Sequence, residues 1–184
     1  MREAIGGTWL FGIVILFIAL FSAFLAYSVS YTKAFNTKNE IINIIERNEG
    51  FTTLKSGNSD IRSLSDEALQ EDGSSEALIY YKIKKIGYNY TVAEGISCQT
   101  VYGNESSTMQ AGGYCLAKVC KPLSNSDDND TNSRYTTYYK VTTFIAINLP
   151  VVNVVAKIPI SGETKSLYYD ASGNIKNECN SIEP

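Results

Sequence analysis

The chain has 184 residues, a net charge of −3 and no histidine. That length holds one domain of ordinary size plus an appendage. Mild acidity argues against nucleic acid as a partner. The missing imidazole removes the commonest general base, the commonest metal ligand and every His-containing triad.

Between Ala4 and Thr32 no residue is charged, and Trp9–Val29 is almost wholly apolar. A helix needs about 20 such residues to cross a hydrocarbon core of about 30 Å, so this segment is long enough to span a bilayer. Trp9 at one end and Tyr27 and Tyr31 at the other suit the aromatic belts of the two interfaces. A cleaved secretory signal is the rival reading, with Arg2 as its basic start and Ala26-Tyr27-Ser28 as its small-x-small site. Its apolar stretch is usually about 7–15 residues, shorter than the run here. We therefore expect a retained single-pass anchor in the lipid bilayer. Arg2 and Glu3 cancel, so the net charge lies beyond the span. Four cysteines, and a distal region rich in Tyr, Thr, Ser and Asn, favour an oxidising compartment outside the cytoplasm. Flanking lysines do not prevent this, because long domains translocate largely regardless of charge bias.

The apolar run does not end in a turn. Phe35, Ile41, Ile42, Ile44 and Ile45 recur at helical spacing among Lys38, Glu40, Glu46 and Arg47, with neither Pro nor Gly before Gly50. This predicts one helix from about Thr8 to Asn48, apolar all round in its first half and on one side in its second. The expected organisation is a leader or cytoplasmic tail (1–7), a transmembrane helix (8–31), its amphipathic continuation (32–49) and an extracytoplasmic β-rich head (50–184). Small residues on the span, Gly12, Ala19, Ser22, Ala23 and Ala26, allow close approach of a second helix.

Within the head, residues 59–73 read as a short helix ending at Gly73. The β-branched and aromatic stretch 77–98 suits two strands punctuated by Gly87 and Gly95. Residues 101–113 read as a loop, Tyr114–Cys120 as a strand, and 121–134 as an exposed polar loop. Two long strands flank Pro150, which marks a bend or an edge. Ser161-Gly162-Glu163 and 171–174 read as hairpin turns. Paired tyrosines beginning at Tyr80, Tyr138 and Tyr168 would face opposite sides of a strand, one of each pair exposed. The fold class is α+β: a long N-terminal helix carrying an antiparallel sheet of five or six strands and one short extra helix, a lollipop.

Chemistry is sparse. No nucleophile elbow, phosphate loop or dinucleotide fingerprint occurs, so we expect no enzyme and no cofactor. Cys98, Cys115, Cys120 and Cys179 lack the close pairs of a zinc site and read as disulfides. Four cysteines allow three connectivities; the one favoured joins Cys98 to Cys115 and Cys120 to Cys179. Asp128, Asp130 and Asn132 alternate as at the start of a calcium loop, but Ser133 and Tyr139 stand where its glycine and glutamate belong, so a solvated loop and no metal is the expectation.

A short N-terminal tail, an apolar helix starting within ten residues, its amphipathic continuation and a small disulfide-bearing β head resemble pilin-like proteins. Within these the chain is most similar to the TadE-like minor pseudopilins of tight-adherence (Tad) pilus and related secretion systems. The likeness is one of motif over the long helix and of layout beyond it. It implies leader removal by a prepilin peptidase after Gly7, or after Gly6, leaving Thr8 or Gly7 as the mature start. The glutamate this family often carries at its fifth mature position is Gly12 (or Phe11) here, and the nearby acid, Glu3, precedes the glycines. The implied role is structural: a minor pilin-like component in assembly or priming of a Tad-type pilus, partnered through its helix by other pilin-like subunits or the assembly machinery. An unprocessed membrane-held partner of that machinery is the other fate left open. Two further readings stand beside it: an anchored binding module, an adhesin or sensor head whose ligand is unknown, and a secreted hydrolase or toxin released near Ser28.

Overall fold

The computed structural model describes residues 2–55, 60–102, 107–122, 135–149 and 154–169. It is an α+β structure in which one long helix, α1 (Arg2–Arg47), carries a small antiparallel sheet and several short helices. At 1.5 Å per residue α1 is about 70 Å long. Its head-bearing half buries Ala34, Thr37, Ile41, Ile44 and Ile45, positions three and four apart that make one stripe. Phe35, expected on that stripe, lies beside it and stays 38% exposed. The helix ends as Gly50 N–H reaches back to the Ile45 carbonyl, 3.0 Å. Glu49 takes the left-handed backbone and Gly50 sits at φ 150°, a region that only glycine enters cheaply.

Two short helices follow the turn η1 (Ile61–Ser63): α2 (Asp66–Asp72) and α3 (Ser75–Ile86). The predicted helix over 59–73 is thus a 3-10 turn and α2, with Gly73 closing it as expected. The two strands predicted over 77–98 are corrected to helix α3, the 3-10 turn η2 (Tyr90–Ala93) and the start of helix α4 (Cys98–Tyr102). Local caps override the β-propensity of α3: the Ser74 hydroxyl accepts from Ala77 N–H, Glu76 occupies the first turn, and Gly87 closes the helix at φ 69°. Ile79, Ile83 and Ile86 recur at helical intervals, and Ser75, Ala77, Ile79, Tyr80 and Ile83 are buried. So Tyr80 is a core residue of a helix, and the strand argument for its pair with Tyr81 does not apply.

The sheet runs in the order β1 (Ser107–Gln110), β2 (Tyr114–Pro122), β3 (Tyr135–Leu149), β4 (Val154–Glu163), all antiparallel. Residues 107–110, expected in a loop, thus form an edge strand. Ser161-Gly162-Glu163 is no hairpin turn but the end of β4. The chain then continues along the same edge of β3 as β5 (Leu167–Tyr169). Between β4 and β5, Thr164 bridges the break: its N–H donates to the Tyr139 carbonyl and its hydroxyl accepts from Tyr139 N–H, both 2.9 Å.

One face of the sheet packs on α1 and α3, where Tyr114, Leu116, Tyr139, Val141 and Ile145 join Ile41, Ile45, Ile79 and Ile83 in the main core. A fully buried isoleucine contributes about 2–3 kcal/mol. The opposite face holds a smaller cluster of Ala93, Cys98, Cys115 and Phe144. Cys98 and Cys115 are disulfide-bonded across 5.5 Å between Cα atoms. The bond ties α4 to β2 rather than crossing a hairpin, because 98–102 is helical. Cys120 is also disulfide-bonded; its expected pairing with Cys179, the calcium-loop reading at Asp128, Asp130 and Asn132, and the turn at 171–174 lie outside the described residues.

Candidate functional site

The head-bearing half of α1 is held by polar contacts as well as core. The Thr143 hydroxyl donates to the Ala34 carbonyl (3.0 Å), Lys165 N–H to Glu46 Oε1 (2.8 Å), and Lys82 pairs with Glu40 (3.1 Å). Ser75, fully buried, donates to the Gly50 carbonyl (3.0 Å) and accepts from Asn48 Nδ2 (3.1 Å). These contacts fix the direction in which the other half of α1 leaves the head.

That other half is the most unusual surface of the chain. Trp9, Leu10, Phe11, Phe17, Leu20 and Phe24 are each more than 60% exposed. The helix is long and apolar enough to cross a membrane, with mean hydropathy 2.6 over its best window and none of that window buried. An apolar helix so near the N-terminus is also compatible with a signal sequence. Ser22 donates to the Ile18 carbonyl at 2.8 Å and Thr32 to that of Ser28 at 2.9 Å, so both hydroxyls are satisfied within the helix, as a lipid environment demands. Rings meet where charge resumes: Tyr27 lies tilted against Tyr31 (6.2 Å), Tyr31 stacks on Phe35 (6.1 Å), and Lys38 sits over Phe35 at 4.4 Å.

At about 100° per residue, Gly12, Ala19, Ala23 and Ala26 fall within roughly 60° of one another, with Ser22 at the margin. The same direction continues into Ala34, Thr37, Ile41 and Ile44, the buried side of the head-bearing half. The small residues thus extend the head-facing side of the helix, and nothing lies within 4 Å of a side chain built at Gly12. Gly6, Gly7 and Thr8 belong to the first turns of α1, which is helical from Arg2, not from Thr8 as expected. Each interior glycine costs a helix about 1 kcal/mol, so the Gly6-Gly7 pair weakens the first turns of α1.

On the head, Phe51, Thr53, Thr108, Gln110, Leu116, Lys118 and Tyr139 line an open groove of about 350 Å³ beyond the end of α1. No cluster of metal-binding side chains occurs among the described residues. Tyr88, just past the C-terminal end of α3, is buried and bridges the β1–β2 turn to β3: its hydroxyl donates to the Gly113 carbonyl (3.1 Å) and accepts from Phe144 N–H (2.9 Å). Burial pushes its phenol up to about 12, so it stays neutral and structural. Sequence reasoning missed Tyr88 because its partners come from the β1–β2 turn and β3, far along the chain. The Cys98–Cys115 pairing was legible, whereas the alignment of the small residues with the head needed the observed helix phase. No family model, no curated protein and no solved structure matches the chain.

Proposed function

We propose that this chain is a single-pass membrane protein with its head outside the cytoplasm, acting as a minor pilin-like structural component in assembly or priming of a Tad-type pilus or related secretion system. The observation that carries the reading is the continuity of α1. One helix is apolar and largely exposed over Trp9–Val29 and then forms the spine of the head core without a break. A cleaved signal would leave at a junction, yet residues on both sides of Ser28 belong to this one helix, and Tyr27 packs against the main core. In mechanism, the apolar half waits in the bilayer and packs through Gly12, Ala19, Ala23 and Ala26 against other such helices. The head meets neighbouring heads or an external ligand. The family assignment itself rests on the resemblance in layout.

The test is the mature N-terminus, determined by mass spectrometry on protein purified from its native cells. A start at Thr8 or Gly7 is the result expected for leader-peptidase processing and a polymerised subunit. A start at Met1 or Arg2 means a permanent anchor and sinks the polymerised version. A start near Val29 overturns the anchor altogether.

A further inference from the structure

The head does not stand clear of the uncharged segment. Along β3 the chain runs back toward the N-terminus of α1. Thr164, bonded to Tyr139, precedes Lys165, which reaches Glu46. Gly162, paired with Val141, abuts Ile42 and Lys38. Thr143 reaches Ala34. Two residues of strand therefore correspond to about four to six of helix, as rises of about 3.3 Å and 1.5 Å require for elements running side by side. Tyr27, six residues before the first charge at Lys33, already packs against the core cluster that holds Ile145.

β3 and β4 go further. Their register continues past Ile145↔Ile158 through Ile147↔Ala156 to Leu149↔Val154. Six residues beyond Thr143 is about 20 Å of strand. That equals about 13 residues of helix before Ala34, near Phe21; a modest crossing angle shortens the reach to about Leu25. The strand ends 145–149 and 154–158 contain no acid, and Asn148 and Lys157 are their polar residues. Ile158 is 40% exposed, and Ile158 and Met109 are the large apolar side chains of the sheet left this open among the described residues. Lys157, beside it, is exposed and donates to the Glu94 carbonyl; paired with Ala146, its backbone stands about 10 Å beyond Thr143, near the level of Tyr27.

We infer that the paired ends of β3 and β4 are a second membrane element, entering the outer interface of the same bilayer that α1 spans, to a depth of about 5–10 Å. Lipid fits this surface because the helix beside it is uncharged and largely exposed at the same height. By sequence the strand ends carry only Asn148 and Lys157 as polar side chains, and a lysine stem is long enough to return its charge to the interface. The head is thereby seated on the bilayer at a fixed tilt rather than free on a stalk. This inference rests on the anchor reading, and the two fail separately in the following experiment.

Trp9 is the sole tryptophan. Replacing it by Phe creates a background for single reporters at Phe17→Trp (mid-span), Ile158→Trp (strand end) and Thr53→Trp. Thr53 is exposed beyond the end of α1, about 30 Å above Tyr27. The full chain is reconstituted in phosphatidylcholine vesicles brominated either near the headgroup end or near the methyl end of the acyl chains. The expected result is quenching of the Phe17 reporter by deep bromines, at least about two-fold quenching of the Ile158 reporter by shallow bromines, and little at Thr53. Quenching at Phe17 with the Ile158 reporter no more quenched than that at Thr53 overturns the inference and leaves the anchor standing. An unquenched Phe17 reporter overturns both.

Discussion

Tyr88→Phe is the sharpest perturbation of the head, because one oxygen atom closes a gap in the sheet. The β2–β3 register ends at Cys115↔Thr142. Continued for two residues, it would set Gly113 opposite Phe144. Instead the Tyr88 hydroxyl stands between them, donating to the one and accepting from the other. Tyr88 is 6% exposed, so water does not replace the lost oxygen freely. Removing it deletes two hydrogen bonds and strands a buried carbonyl and a buried N–H, for a cost of about 2–4 kcal/mol. For a head of this size each kcal/mol moves Tm by roughly 3–5 °C, so we expect a fall of about 8–15 °C. The assay is thermal unfolding of the full chain in detergent micelles, followed by near-UV circular dichroism. Alkaline pH adds a second signature. Burial raises the Tyr88 phenol from 10.0 to about 12, so the unfolded chain ionises first. The contribution is intact below pH 10 and is lost as pH rises from 10 through 12. Tyr88→Phe should therefore flatten part of the alkaline loss seen in the parent chain. A drop of less than about 2 °C at neutral pH would refute the bridging role.

Three further substitutions probe other parts of the chain. Thr37 is fully buried and its hydroxyl has no partner, so Thr37→Val should stabilise by about 0.5–1.5 kcal/mol, read as a higher Tm; a lower Tm would mean the hydroxyl is used. A methyl on Gly112 would lie 2.6 Å from Ile83 Cδ1 and 3.1 Å from the Tyr114 ring, so Gly112→Ala should cost about 1–3 kcal/mol. Adding Ile83→Val, which removes the Cδ1, should recover part of that loss, and failure to do so would place the clash elsewhere. A Cβ placed at Gly12 meets nothing within 4 Å and lies far from the head, so Gly12→Leu should leave the head's Tm unchanged while weakening association between copies in membranes by about 1 kcal/mol, roughly five-fold; unchanged crosslinking yields would rule out the small-residue side as a packing surface.

The long helix was legible because its signal is one of length and period. Twenty-nine uncharged residues followed by isoleucines at helical spacing leave few alternatives. The long strands β3 and β4 were legible for a similar reason, a run of β-branched and aromatic residues on either side of Pro150. α3 was not, because Ile79, Tyr80, Tyr81 and Ile83 favour strand when counted by residue type. Ser74 and Gly87, which settle the matter, act on single backbone groups at the two ends. α4 and β1 are five and four residues long, too short for any period to show. Phe35 was misplaced by one position on the helix, since only the phase set by Ala34 and Thr37 against β3 separates buried from exposed there.

The candidate site divides along the same line. Which residues of α1 are apolar, and which are small, is written in composition. Their alignment with the head is a property of one unbroken helix, whose phase carries from Gly12 to Ile44. That alignment has a consequence for assembly. The side on which the head sits is also the side where the span is narrowest, so a second helix packing close at Ala19 and Ala23 approaches beneath the head of the first. A neighbour's span would then run past Tyr27, Tyr31 and the ends of β3 and β4 on its way out of the bilayer. If copies associate as proposed, packing in the membrane and contact between heads would be coupled through the one continuous helix α1. A change at Gly12 that loosens the spans should loosen head contacts too, although the two regions lie far apart along α1.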